Sequence, residues 1–319
     1  MKIETIFKLS AQKLKQNLRA ELVRLGYAEK HLHNKSKFLY AEGDAPYMLV
    51  AHLDTVHKTL PSIICYSKDG NYMMSPQGIG GDDRCGVYII LELLNKLPYK
   101  PYVLFTMEEE VGGFGARAFA TYIAEYGVPE LKYIVEYDRK GNKDCVFYHC
   151  DNREFVEFVE GFGFKEEYGT YTDICEIAPT MGVAAVNLSS GYFDPHTTHE
   201  YVSMKDMRNI IDASYKMLCA ECDTFKYVEK EYMQSTCYVG RKIAVSFVPE
   251  DTLYLYAWRS GECYLNDYQE IVVDEYGNYY YYDPTYKDLM SVYGEVEAVD
   301  PDNIPVYDPS KSQYLTAYY

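Results

Sequence analysis

The chain has 319 residues, 48% hydrophobic and 25% charged, which suits one large folded domain or two smaller ones and rules out a disordered or collagen-like polymer. Its 48 acidic against 31 basic side chains leave a net charge of −17. That balance argues against a nucleic-acid backbone or an anionic membrane as the main partner, and it disfavours acidic substrates unless a metal meets them.

The first residues spread lysines through their apolar positions, and no apolar stretch approaches the ~18 residues of a spanning helix, so a cytoplasmic protein is expected. Nine scattered cysteines, an odd number, suit a reducing compartment. The lone Cys219-x-x-Cys222 pair reads as a helix face, not a zinc or redox motif.

In chain order, apolar residues at helical spacing from Ile6 to Leu25, stopped by Gly26, predict one amphipathic helix. Residues 37–41 and 46–53, separated by the turn-prone Gly43-Asp44, predict two paired strands. A buried helix over 85–97, a strand over 101–106, a helix over 116–126 and a strand over 131–137 follow. A further unit has a helix over 172–179, a strand over 183–188 and a helix over 204–220. The alternation predicts an α/β fold with a largely parallel sheet.

Residues 1–227 form the expected catalytic domain. The remainder, 228–319, holds 17 of the 36 tyrosines and is strongly acidic, so it reads as a separate, β-rich C-terminal region. Amphipathic tyrosine faces suit contact with a protein or glycan surface.

Asp54, Asp82, Glu110 and Asp138 recur at equal intervals, each of about one βα unit of ~30 residues. On a parallel sheet such residues would converge at the carboxyl ends of the strands. Two histidines, His52 and His196, with three carboxylates suit two zinc ions that share one carboxylate. Such a pair polarises a carbonyl and supplies hydroxide near neutral pH.

The segments AHLDTV (51–56), GIGGDDRCG (78–86), EEEVGGFGA (108–116), EYDR (136–139) and HTTHE (196–200) occur in this order. Together, over roughly residues 36–222, they resemble the clan MH zinc exopeptidases, which include peptidase T, carboxypeptidases, acyl-amino-acid deacylases, leucyl aminopeptidases and tetrahedral aminopeptidases. The resemblance implies the phosphorylase/hydrolase-like three-layer fold. It implies His52 and Asp138 on one metal, Glu110 and His196 on the other, and Asp82 bridging them. Asp54 would orient His52, and Glu109 would be the general base.

Glu136, two residues before Asp138 on the same strand face, is the alternative third ligand. His196 stands four residues before Glu200, as the family's HxxxE pattern requires, and the intervening His199 matches no ligand position. His57, beside the His52 loop, is the exception among the remaining histidines, which read as surface or packing groups.

Arg84 and Arg139 are candidate clamps for a substrate carboxylate, with pairing to nearby acids as the alternative. Thr172 and Asp173 read as a helix cap that borders the cleft in the family. The gaps between the ligands are too short for an inserted lid or dimerisation domain.

The implied cofactors are two divalent ions, zinc with cobalt or manganese as alternatives. The expected function is a metallopeptidase of small peptides, with aminopeptidase first. An amidase, deacylase of an acylated amino acid or carboxypeptidase is the rival in the same class. A binding protein working through the tyrosine-rich region is the rival from another.

Overall fold

The computed structural model describes residues 1–230 in full and, after them, the backbone of six strands. Packing divides the chain into Met1–Lys230 and Glu231–Tyr319. Residues 226–230 belong to the first unit: Lys226 bridges Val183, Asp151 N donates to Val228 O at 2.8 Å, and Lys230 N donates to His149 O at 2.6 Å.

The single opening helix expected over 6–25 is two helices, α1 (Ile3–Lys8) and α2 (Ala11–Arg24). Leu9 and Ser10 between them are extended, and the Ser10 hydroxyl accepts from Lys13 N at 3.4 Å. A serine that caps a new helix competes with continuing the old one. The apolar stripe is intact across the break, since Ile6, Leu14, Leu18 and Leu22 are all buried.

Twelve strands follow among residues 1–230. They are β1 (Leu32–Asn34), β2 (Phe38–Ala41), β3 (Ala45–His52), β4 (Cys65–Tyr66), β5 (Tyr72–Met74), β6 (Pro101–Thr106), β7 (Tyr133–Arg139), β8 (Asp144–Val146), β9 (Lys165–Glu166), β10 (Ala185–Ser189), β11 (Tyr192–Phe193) and β12 (Tyr201–Ser203). Helices α3 (Gly81–Lys96), α4 (Phe114–Tyr126), α5 (Arg153–Glu160), α6 (Ile174–Met181) and α7 (Met204–Cys219) connect them.

The main sheet runs β1-β2-β6-β3-β7-β10-β8-β9, with β6, β3, β7 and β10 parallel at its centre. Its two faces are covered separately, which gives the three layers. Residues of α1, α2, α3, α5 and α7 pack on one face, those of α4 and α6 on the other. The side chains of β7 divide accordingly, Tyr133, Val135 and Tyr137 to the first face and Ile134 to the second.

β2 and β3 are not paired with each other as expected. β6 lies between them, antiparallel to β2 and parallel to β3. After β3 the chain steps to one side through α3 and β6, then crosses to β7 on the other side. That reversal opens a crevice at the carboxyl ends of β3, β6 and β7. A second, four-stranded sheet, β11-β12-β5-β4, was not visible in the sequence.

In the second unit the strands β13 (Ala244–Val248), β14 (Thr252–Tyr256), β15 (Gln269–Val273), β16 (Tyr279–Asp283), β17 (Asp288–Ser291) and β18 (Glu297–Val299) pair in the order β17-β16-β15-β14-β13-β18. The expected recruiting role of its tyrosines concerns side chains outside the described residues. No helix among the described residues is long and apolar enough to cross a membrane.

Candidate metal centre

His52 is the last residue of β3 and fully buried, so its imidazole is held by the sheet itself. Its Nε2 lies 3.1 Å from Asp82 Oδ1 and 3.5 Å from Asp138 Oδ1. The other oxygen of Asp82 lies 3.1 Å from His196 Nε2, which is 3.2 Å from Glu110 Oε2. Two donor triads result, His52/Asp82/Asp138 and Asp82/Glu110/His196, each with its ligating atoms within 4.8 Å of one another.

An ion bound tetrahedrally at ~2.0–2.2 Å keeps its donors roughly 3.3 Å apart. The four separations bracket that value, and Asp82 turns one oxygen to each triad. The residues therefore fit a pair of divalent cations. The electrostatics point the same way. Burial and then the neighbouring Asp82 push the Asp138 carboxyl up to about 7. Hydrogen bonds to Asp82 and Glu110 push His196 up to about 10. Such a crowd of carboxylates lacks positive charge, which cations would supply.

His52, Asp82, Glu110 and Asp138 are each held by a further group. Asp138 N donates to Asn187 Oδ1 at 2.8 Å, and its carboxylate accepts from Thr172 Oγ1 at 2.9 Å and from the Tyr192 hydroxyl at 3.3 Å. Asp82 and Asp83 depart from helical backbone at the start of α3, and Asp82 N donates to Glu200 Oε1 at 3.0 Å. The other Glu200 oxygen accepts from Gly80 N and from His57 Nε2, both at 2.9 Å. Asp83 is buried and accepts from His52 N at 3.3 Å and Gly86 N at 3.0 Å.

Asp54 has a double role. Its Oδ1 lies 3.6 Å from His52 Nδ1, and its two oxygens accept from the backbone N–H groups of Glu109 and Glu110, both at 3.2 Å. One carboxylate thus aligns an imidazole and fixes both glutamates. Glu109 places Oε2 3.9 Å from His52 Nε2 and belongs to neither triad. Burial first, then the charges of Asp138, Asp173 and Glu110 against the opposing His52, raise its carboxyl to about 8.

The donor set around His52 includes Asp138 and not Glu136. Glu136 is fully buried, neither of its oxygens has a hydrogen-bond partner, and burial pushes its carboxyl well up. A neutral acid behind the ligands follows. Asp173 is buried and accepts from the Thr106 hydroxyl, so it stands behind the cleft.

Arg84 corrects the sequence reading. It is 1% exposed and donates to Ile6 O at 2.6 Å and Leu9 O at 2.9 Å, the last carbonyls of α1. It clamps the opening helix, not a substrate carboxylate. Arg139 pairs with Asp144 at 3.5 Å. Arg84→Met should cost roughly 2–4 kcal/mol, because it leaves two carbonyls without a charged donor. Urea unfolding checks this, with a lower midpoint expected at unchanged slope.

The positioning roles of Tyr192 and Asn187 escaped the sequence reading, whereas the place of His57 beside the His52 loop singles it out. The HxxxE spacing marked Glu200 without its role, and only the glycine run before Asp82 hinted at a close contact. Gly78 (φ +81°) faces the His57 ring, where an added Cβ would sit 2.2 Å from it. After the glutamates, Gly112 and Gly113 are left-handed, and the Tyr171 hydroxyl fills the place of a Cβ on Gly113.

Residues 62–128, which carry Asp82, Glu109 and Glu110, match the family of M42 glutamyl aminopeptidases. Over that segment the chain is similar to a metallopeptidase family. No curated protein sequence matches the chain. Among solved structures, the chain is similar to a tripeptidase from Staphylococcus aureus subsp. aureus Mu50, with 12% identity, 68% of this chain and 95% of that chain covered, and a TM-score of 0.54. It is also similar to aminopeptidase PepT from Bacillus cereus, at 14% identity, 68% and 96% coverage and a TM-score of 0.54. A TET aminopeptidase from a marine-sediment Thaumarchaeota archaeon shares 14% identity over 67% of this chain and 94% of its own, with a TM-score of 0.52. At these identities the likeness establishes the shared α/β fold.

Proposed function

We propose that the protein is a metallopeptidase, an aminopeptidase of small peptides using two divalent ions, zinc with cobalt or manganese as alternatives, held by His52, Asp82 and Asp138 and by Asp82, Glu110 and His196. The observation that carries this reading is the pair of donor triads sharing Asp82 beside a glutamate outside both. When bound, such ions polarise the scissile carbonyl and lower the pKa of water.

The protein's own groups do the rest. Glu109, fixed through its backbone by Asp54, takes a proton from the attacking water and returns it to the leaving nitrogen. A carboxylate bound to a cation would be a poorer shuttle, so the adjacent pair divides the work, Glu110 as ligand and Glu109 as base. Asp54 and Asp83 keep His52 in place throughout.

The sign of the charge favours an amino terminus as the recognised end. Arg84 is buried, Arg139 faces Asp144, and Lys37 is paired with Glu108, so the candidate carboxylate clamps are engaged elsewhere. An acidic cleft welcomes an ammonium group. The loops that carry the site also expose Val56, Val111, Phe114 and Tyr171, which suits an apolar side chain next to the scissile bond. The free thiols of the described cysteines support a reducing, cytoplasmic setting.

The test is a substrate pair, leucine p-nitroanilide and its N-acetyl derivative, with the zinc-loaded protein. A preference for the free amine of about 100-fold or more in kcat/KM is expected. Release of acetate from the acetylated compound would instead make the protein a deacylase, and equal or better release of p-nitroaniline from it would make it an amidase indifferent to the free amine.

A further inference from the structure

The loop bearing Glu109 and Glu110 is held on one side by Asp54, and on its other side it meets the chain between α2 and β2. Met107 N donates to Lys37 O at 2.9 Å, and the Lys37 ammonium pairs with the Glu108 carboxylate. Glu108 has φ +64°, a left-handed conformation unusual for a residue with a side chain. It turns its carboxylate to Lys37, while the next two glutamates belong to the catalytic cluster. Phe114 N closes the turn on Glu108 O at 3.2 Å, with the Lys37 ammonium 5.8 Å above the Phe114 ring.

Lys37 is itself anchored. Lys15, 2% exposed in α2, donates its ammonium to Lys35 O at 2.5 Å and Ser36 O at 2.8 Å. A buried lysine that spends its donors on two successive carbonyls fixes the path of the chain directly before Lys37. The connection therefore runs from α2 through Lys15 to residues 35–37, and through Lys37 to Glu108.

We propose that Lys37 is a positioning residue for the catalytic glutamates. It neutralises Glu108, holds it in the left-handed turn and so keeps Glu109 and Glu110 on Asp54. Of three successive glutamates only two face the cluster, and Lys37 selects which two. The inference rests on the aminopeptidase reading for its kinetic consequence, but not for its structural one.

The test uses the full chain with Lys37→Met, Lys37→Arg, Glu108→Gln and the double variant Lys37→Met/Glu108→Gln. Methionine keeps the stem over Phe114 and removes the charge. Lys37→Met should speed hydrogen exchange at the Glu109 and Glu110 amides about tenfold. At saturating zinc it should lower kcat about tenfold, with KM unchanged. Arginine should restore both properties, and the double variant should be less impaired than Lys37→Met, since the uncompensated carboxylate is gone.

Unchanged exchange in Lys37→Met overturns the proposal whatever the activity does. So does a double variant no better than Lys37→Met. If the native protein hydrolyses no peptide, the aminopeptidase reading fails, while the exchange experiment still decides the role of Lys37.

Discussion

Glu109→Gln is expected to lower kcat by about 10²- to 10⁴-fold, the range for losing a general acid–base group. KM and metal content should stay within about twofold, because Glu109 is outside both donor triads and acts in the transition state, not in holding the substrate. Glutamine keeps the shape and leaves the backbone N–H groups of residues 109 and 110 on Asp54. The pH profile adds an independent check. In the metal-free cluster Glu109 is held up to about 8, chiefly by burial. Bound cations favour its carboxylate, so the acid limb of kcat/KM in the loaded protein should lie below that value and vanish in the variant. Activity within tenfold of the native level would remove Glu109 from the mechanism.

Stripping the metals should have the largest effect on stability. Loss of ions present at about 1,000 times their dissociation constant removes about 4 kcal/mol, which lowers Tm by on the order of 10 °C for a domain of this size. The pH dependence of the stripped protein should also have a definite sign. Burial and mutual repulsion raise Glu109 to about 8, Asp138 to about 7 and Asp173 to about 6. The native state therefore holds protons that the unfolded chain releases near pH 4. Stability is highest below about pH 4 with respect to these three groups and declines as pH rises through 6 to 8. His196, raised to about 10, adds a loss of the same sign above about pH 6.5. Asp82 runs the other way, since its hydrogen bonds to His196 and His52 outweigh burial and hold its carboxyl low, so it penalises pH below about 4. Metal should reverse the decline between pH 6 and 8. Thermal melts with and without chelator across this range are the measurement, and an unshifted melt would mean that no ion is bound. Asp82→Ala, which takes a donor from both triads, should reproduce the chelated melt and resist rescue by added zinc.

The sequence was most informative where the chemistry is local to a strand end. Asp54, Glu110 and Asp138 each follow or end a strand of the main sheet, so their equal spacing reflects a repeated βα unit. Asp82 shares the interval for another reason: it opens α3, after β4 and β5, which are outside that sheet. Strands β4 and β5 are too short to leave a readable pattern, although β5 buries Met73 between two exposed residues. The turn residues at Gly43-Asp44 suggested a hairpin, but strand order is fixed by the later arrival of β6, which no local signal announces. Helix α5 was missed, although Asn152 caps it and Phe155, Val156 and Val159 are buried on one side, because its eight residues span barely two turns. Arg84 misled because an arginine beside two aspartates suggests an ion pair. Its real partners are carbonyls far away in the chain.

That last contact bears on the order of events when the chain is made. Helix α1 leaves the ribosome well before α3, yet Ile6 O waits for a guanidinium 78 residues further on. A six-residue helix has little stability by itself. Until α3 has emerged, α1 lacks the helix it packs against, and its apolar side stays open to chaperones or to other nascent chains. When Arg84 does arrive, it comes two residues after Asp82, so the step that seats the first helix also seats the start of the metal-binding turn.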